Sequence, residues 1–225
     1  MISTYYINVT QLEEEKIYEE KFRSLSPYRR QKIQILKHHK DKCRSLGAGI
    51  VLDCALQQYG LRERQMDYSV GQWGKPLFKE YPQLHFSLSH SGDYAICSIG
   101  KTPIGNDIEG IKGGHLKVAD RFYTKKERDW MYEMNNEQEI EHRMFRIWTA
   151  KESFLKATGR GMSLSLLDFS ILFGLQGAIE VEQTLEESSF HGKEYRQIPG
   201  YCVSLCCYQG EEIAPEMQEI NLKSD

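Results

Sequence analysis

The stretch Ile104–Gly110, IGNDIEG, places two carboxylates two residues apart in an otherwise apolar run. On a β-strand alternate side chains share a face, so Asp107 and Glu109 project together, about 7 Å apart. Ile104, Asn106 and Ile108 project the other way. Two carboxylates so placed can turn toward one hard cation, and Mg²⁺ uses one or two protein carboxylates together with substrate phosphates. A solvated acidic strand edge is the plainer reading, and the pair alone does not separate the two. A third acid comes from WTAKESFLKATGRG (148–161). On a helix Trp148, Glu152, Leu155 and Lys156 are neighbours, because residues three and four apart meet. Read structurally, Glu152 and Lys156 form a surface ion pair beside a core tryptophan. Read chemically, Glu152 serves a metal or a proton and Lys156 meets a phosphate.

Two turns and a helix add candidates. In GQWGKP (71–76), Gly74 before Lys75 and Pro76 marks a tight turn with a projecting cation. In FSLSHSGD (86–93), Ser89, His90 and Ser91 end a strand where hydroxyls, an imidazole and free N–H groups can meet an anion. A turn histidine without a ligand fits His90 equally. Arg29, Arg30, Lys32, Lys37, Lys40, Lys42 and Arg44 make a basic helical region. Such a run is a solvated face or a seat for a polyanion. The G-x-S-x-G pattern of a nucleophile elbow is absent from the sequence.

These residues must be held by strands and helices. Alternation in 3–9 predicts a strand, and 11–25 reads as a helix with Leu12, Ile17, Phe22 and Leu25 near one face. Ser26 and Pro27 open a second helical region that runs to Gly60 and is expected to break near Gly47. Short strands follow at 68–70, 84–88 and 94–100. The order then repeats: a strand at IGNDIEG, helices over 125–134 and 139–159, the latter closed by Gly159, and strands at 168–173, 178–183 and 200–208. Each half reads as strand, helices, three strands. This predicts two similar α+β subdomains, 1–103 and 104–210, with a site in the cleft between them. Residues 211–225 read as a loosely held polar tail.

The chain has 225 residues, enough for one large domain or two of about 110. A net charge of −3 argues against a dedicated nucleic-acid binder. The six cysteines, Cys43, Cys54, Cys97, Cys202, Cys206 and Cys207, form no C-x-x-C pair. They read as reduced core thiols. No basic n-region with an apolar h-region opens the sequence, and no apolar run approaches the ~20 residues of a membrane span. A cytoplasmic protein with no membrane or nucleic-acid partner is the expectation.

In combination and order the motifs resemble the Sfp-type 4'-phosphopantetheinyl transferases. The matching run is R-x-x-x-x-G (44–49), GKP, F-S-L-S-H-S, I-G-x-D-I-E, then W-x-x-K-E-S-x-x-K with G-x-G after it, spanning 44–161. The resemblance implies an α+β pseudo-dimer that moves the phosphopantetheine arm of coenzyme A to a serine of an apo acyl, peptidyl or aryl carrier protein, releasing 3',5'-ADP. It implies Mg²⁺ on Asp107, Glu109 and Glu152, with Glu152 as general base and Lys156 on the pyrophosphate. Arg44, Lys75, Pro76, Ser89, His90, Lys151 and Lys156 match positions that contact coenzyme A, and Arg29, Arg30 and Lys32 lie where further basic contacts occur. It also implies a monomer, and carrier docking near 111–125. A Mg²⁺-dependent nuclease or phosphohydrolase, or a non-enzymatic nucleotide- or carrier-binding module, are the rival readings. Two residues depart from the pattern. Asn106 stands where an aliphatic residue is usual, and Ser87 where asparagine is common. A buried amide needs partners, so Asn106 is expected to find a hydrogen bond.

Overall fold

The computed structural model describes residues 1–113 and 116–222. Gly114 and His115, within the 111–125 segment expected to meet a carrier, and residues 223–225 of the expected tail lie outside the described residues.

The first half runs β1 (Ser3–Asn8), α1 (Glu15–Arg23), α2 (Pro27–Gln34), α3 (His39–Gln57), β2 (Tyr68–Val70), β3 (Pro76–Phe78), β4 (His85–Ser91) and β5 (Tyr94–Gly100). The second runs β6 (Ile104–Gly110), α4 (Lys117–Phe122), α5 (Lys125–Tyr132), α6 (Glu137–Thr158), β7 (Phe169–Phe173), β8 (Ala178–Gln183), β9 (Phe190–Tyr195) and β10 (Tyr201–Tyr208), and β11 (Gln218–Glu219) follows. Each half is therefore strand, helices, four strands, one strand more than the sequence reading gave. β9, FHGKEY, escaped it because glycine, lysine and glutamate are poor strand formers. The architecture is α+β, as expected.

The two large sheets have the orders β11-β1-β5-β4 and β6-β10-β9-β8-β7, and β2 and β3 form a small third one. Each half lays its longest helix across its sheet, and a glycine permits the close approach each time. A Cβ on Gly47 of α3 would stand 2.4 Å from Val9 Cγ1. A Cβ on Gly105 of β6 would stand 2.0 Å from the Ser153 carbonyl and 2.4 Å from the Ala157 nitrogen of α6. Gly47 thus does not break the helix: α3 runs through it, and the break falls between Gln34 and His39. Burial of Leu46, Ala48, Ile50, Val51 and Leu52 around the glycine outweighs its poor helix propensity.

Local signals set several boundaries as expected. The Ser26 hydroxyl accepts from Arg29 N to start α2, with Pro27 in its first turn. Gly159 closes α6 in the left-handed conformation (φ 70°). Within the described residues the tail, by contrast, is held in place. Ile2 N donates to the Glu212 carbonyl and Ala214 N to the Ile2 carbonyl, and β11 pairs in parallel with β1. Buried Ala214 and Met217 supply the apolar anchor that its polar composition hides. Ile2, Ile96, Ile104, Ile108, Val203 and Leu205 belong to one buried cluster that joins the two halves. All six cysteines are free thiols, five of them buried.

Candidate active site

β4 and β6 are edge strands of different sheets, and side chains stitch them together. Three serines at alternate positions of β4 face β6. Ser87 Oγ accepts from Asn106 N (3.0 Å), Ser89 Oγ donates to Asp107 Oδ1 (2.7 Å), and Ser91 Oγ donates to Glu109 Oε2 (2.7 Å). Ser91 Oγ also accepts from Gly110 N (3.2 Å). The expected β6 alternation holds: Ile104, Asn106 and Ile108 are fully buried, while Asp107 and Glu109 face the β4 serines. The buried Asn106 amide finds its partners in the Ser87 carbonyl (3.1 Å) and Ser98 Oγ (2.9 Å).

Because Gly105 admits α6 so closely, the last turns of that helix reach the acids. Lys156 Nζ donates to Asp107 Oδ1 (2.6 Å) and to the Asn106 carbonyl (3.0 Å). Glu152, one turn earlier on the same face, is half-buried. Burial pushes its carboxyl up, Asp107 and Glu109 push it further, and Lys156 opposes them. Burial likewise raises the Glu109 carboxyl, against its bond from Ser91 and with the help of Asp107. Asp107 Oδ2 is buried and has no hydrogen-bond partner. Among the described residues no three His, Cys, Asp or Glu side chains converge tightly enough to hold a metal ion as they stand. The chemistry of the set nevertheless fits a hard divalent cation. Its donors are all oxygen, one buried oxygen is still unpaired, and burial disfavours the charged form of two of the carboxyl groups, a cost that a cation offsets.

Beside this cluster lies a cavity of about 330 Å³, lined from both halves by Trp73, Lys75, Pro76, Phe86, Leu155 and Lys156, among others. The Lys75 ammonium enters it from the β2–β3 turn and donates to the carbonyls of Ile104 (2.7 Å) and Lys156 (2.6 Å). Burial, with help from Lys156, lowers its pKa to about 8. Arg29 lines the same cavity; its guanidinium is buried, with Nε unpaired. At the far end of β4, Arg44 holds the turn through the Gly92 carbonyl (3.2 Å) and pairs with Asp41. His90 is exposed, but the surrounding protein and then Arg44, Lys156 and Arg29 hold its imidazole pKa down. Arg30 is half-buried, and Lys32 is exposed with its ammonium over the Tyr28 ring.

Of the residues expected at coenzyme A, Lys75, Pro76 and Lys156 line the cavity, Arg44, Ser89 and His90 do not, and Lys151 stands apart from both groups. Lys151 is completely buried on another face of α6, where its ammonium pairs with Glu127 (2.9 Å) and donates to the carbonyls of Leu166 (2.6 Å) and Phe169 (2.9 Å). One residue turns an α-helix by about 100°, so the neighbour of Glu152 faces the core. Sequence reasoning named Ser87 without its partner, missed Gly105, and named Ser91 without its partner. Serines at every second position of a strand ending in a turn were the signal for the first and last. For Gly105 there was none, since a close helix approach is a tertiary fact.

A family model described as the 4'-phosphopantetheinyl transferase superfamily matches residues 103–206. The chain is similar to the 4'-phosphopantetheinyl transferase Sfp of Bacillus subtilis (strain 168), with 34% identity over 189 residues, covering 83% of this chain and 84% of that one. A second Bacillus subtilis protein, the 4'-phosphopantetheinyl transferase ffp, is 32% identical over 183 residues and 81% of each chain. The psf-1 enzyme of Bacillus pumilus, named for the same activity, is 30% identical over 161 residues, 72% of this chain and 69% of its own. A transferase built from two α+β halves is the class that this fold and these matches define, and the chain belongs to the Sfp-type 4'-phosphopantetheinyl transferase family.

Proposed function

We propose that this chain transfers the 4'-phosphopantetheine arm of coenzyme A to a serine hydroxyl of an apo carrier protein, from a site at the junction of subdomains 1–103 and 104–210. The observation that carries the reading is that Lys156, which lines a cavity shared by both halves, sits on Asp107, with Asp107 and Glu109 near enough to Glu152 to add to the effect of burial on its acidity. The serine oxygen attacks the phosphorus that carries pantetheine, the bond from that phosphorus to the bridging oxygen breaks, and 3',5'-ADP leaves with the electron pair. Glu152 takes the serine proton. Its raised pKa brings it nearer the pH at which it can accept one. Lys156, already beside Asp107, meets the pyrophosphate and offsets charge that grows on the leaving oxygen.

Asp107, with its unpaired Oδ2, Glu109 and Glu152 would hold Mg²⁺. When bound, it would supply a Lewis acid that polarises the phosphoryl group and neutralises the leaving phosphate. The nucleotide end of coenzyme A would enter the 330 Å³ cavity, with Arg29, Lys75 and Pro76 at its wall, and would extend toward Arg44 on α3 and Ser89 and His90 on β4. Carrier docking belongs to the 111–125 side of the second subdomain. There a cavity of about 290 Å³ lies against Glu109, lined by Lys112, Tyr123, Met144, Phe145 and Trp148. None of the described helices is long and apolar enough to cross a membrane. We read the protein as a cytoplasmic monomer.

Incubation with Mg²⁺, coenzyme A and apo acyl or peptidyl carriers, followed by mass spectrometry of the carrier, tests the reading. A gain of one phosphopantetheine on at least one carrier is expected. No gain across carriers of fatty-acid, polyketide and peptide type would overturn it.

A further inference from the structure

We infer that Asn106 is a positioning residue for the transfer site: its side chain fastens β6 to the opposite sheet, and its main chain fixes where Lys156 and Asp107 stand. The inference rests on the function proposed above.

Asn106 is completely buried, yet its Nδ2, backbone N and backbone carbonyl all hydrogen-bond to other elements. Its Nδ2 donates to the Ser87 carbonyl on β4 (3.1 Å) and to Ser98 Oγ on β5 (2.9 Å), and its backbone N donates to Ser87 Oγ (3.0 Å). Ser98 Oγ in turn shares a hydrogen bond with Thr4 Oγ1 on β1 (2.9 Å). One amide thereby ties β6 to three strands of the other sheet. The carbonyl of the same residue accepts from Lys156 Nζ (3.0 Å), whose other partner is the next residue, Asp107 (2.6 Å). The fastening and the chemistry are thus one residue apart on the same strand.

Packing alone does not account for the amide. Asn106 Oδ1 is buried and unpaired, a cost that an aliphatic side chain of similar volume avoids. Removing the amide would instead leave the Ser87 carbonyl short of a donor. Ser87 and Asn106 are bonded to each other twice, so an amide on either strand can span the seam between β4 and β6.

Two consequences separate positioning from mere stability. Lys156 and Asp107 act on the reacting phosphoryl group, so a shift of β6 should lower kcat while leaving coenzyme A affinity nearly untouched. An amide supplied from the other strand should recover the loss. We expect Asn106→Leu to reduce kcat roughly tenfold, with the Kd for coenzyme A, measured by calorimetry without metal, within about twofold of wild type. The double variant Ser87→Asn/Asn106→Leu should return kcat to within about threefold. If Asn106→Leu does not fold, Ser87→Ala carries the test, with a kcat loss of about threefold expected at unchanged coenzyme A affinity. A wild type that transfers while the variant keeps its kcat, or a loss that the double variant does not recover, overturns the inference alone. A wild type that transfers to no carrier overturns the functional reading, and this inference with it.

Discussion

Lys156 Nζ lies 2.6 Å from Asp107 Oδ1 and 3.0 Å from the carbonyl of Asn106, so the cation of α6 is seated directly on the acidic strand β6. The i,i+4 surface pair with Glu152, the structural reading of the motif, is not among the contacts of this ammonium. The seat places a fixed positive charge where a leaving phosphate gains negative charge. Lys156→Ala should therefore lower kcat about 10²–10³-fold. Glu152→Gln should abolish turnover while largely retaining coenzyme A binding. Carrier mass gain over time and calorimetric titration with coenzyme A measure both, and near-wild-type rates in either variant would remove that residue from the mechanism.

The crowded carboxylates predict a pH and metal dependence of stability. Glu109 and Glu152 have pKa values raised above the ordinary 4.5. A carboxyl raised in the folded state binds more protons there than in the unfolded chain. Its contribution to stability is therefore full below pH 4.5 and is lost as pH climbs through the folded pKa. Metal-free Glu152→Gln should melt above wild type at neutral pH, and the gap should close below about pH 4. Mg²⁺ should raise the melting temperature of wild type more than that of the variant. Thermal scans across pH 3.5–8 with and without Mg²⁺ read this directly, and a variant that melts no higher at pH 7 would contradict it.

Much of this site was legible in the sequence because β6 and α6 have clean periodicities. Period two separates Asp107 and Glu109 from Ile104 and Ile108, and Glu152 and Lys156 fall one turn apart. What the sequence hid depends on contacts far apart along the chain. The β4 serines gain meaning only when that edge meets β6, and Gly105 only when α6 lies across it. β9 was hidden by composition: Gly192 is needed there because a Cβ would stand 2.1 Å from the Leu205 carbonyl. Lys151 misled because motif spacing does not record which side of a helix faces the core.

That buried lysine gives a sharp test. Lys151 and Glu127 are both fully buried, and the Glu127 carboxylate also caps α5 and accepts from Ile171 N. Removing one partner leaves an uncompensated charge, which costs about 3–5 kcal/mol. Lys151→Met should lose stability of that order in urea denaturation, and Glu127→Gln/Lys151→Met should recover part of it. The KM for coenzyme A should stay at the wild-type value in whatever fraction remains folded. A selective rise in KM with unchanged stability would return Lys151 to the substrate site.

Gly105 links packing to chemistry most directly. An added methyl group would press on α6 backbone at the Ser153 carbonyl (2.0 Å) and the Ala157 nitrogen (2.4 Å), and on Lys156 Cβ (2.7 Å). Backbone on both sides cannot swing away as a side chain would, so the helix must lift from β6. Overpacking of this kind costs typically 1–3 kcal/mol, and Gly105→Ala belongs at or above the upper end. The lift also draws Lys156 off Asp107, so kcat should fall by more than the unfolded fraction explains. Gly47→Ala is the natural control. It meets a methyl group of the buried Val9 side chain at 2.4 Å, on a helix that carries Arg44 but none of the site's acids, so stability should fall with kcat per folded molecule largely kept. Equal losses of specific activity in the two variants would show that the effect of Gly105 is stability alone.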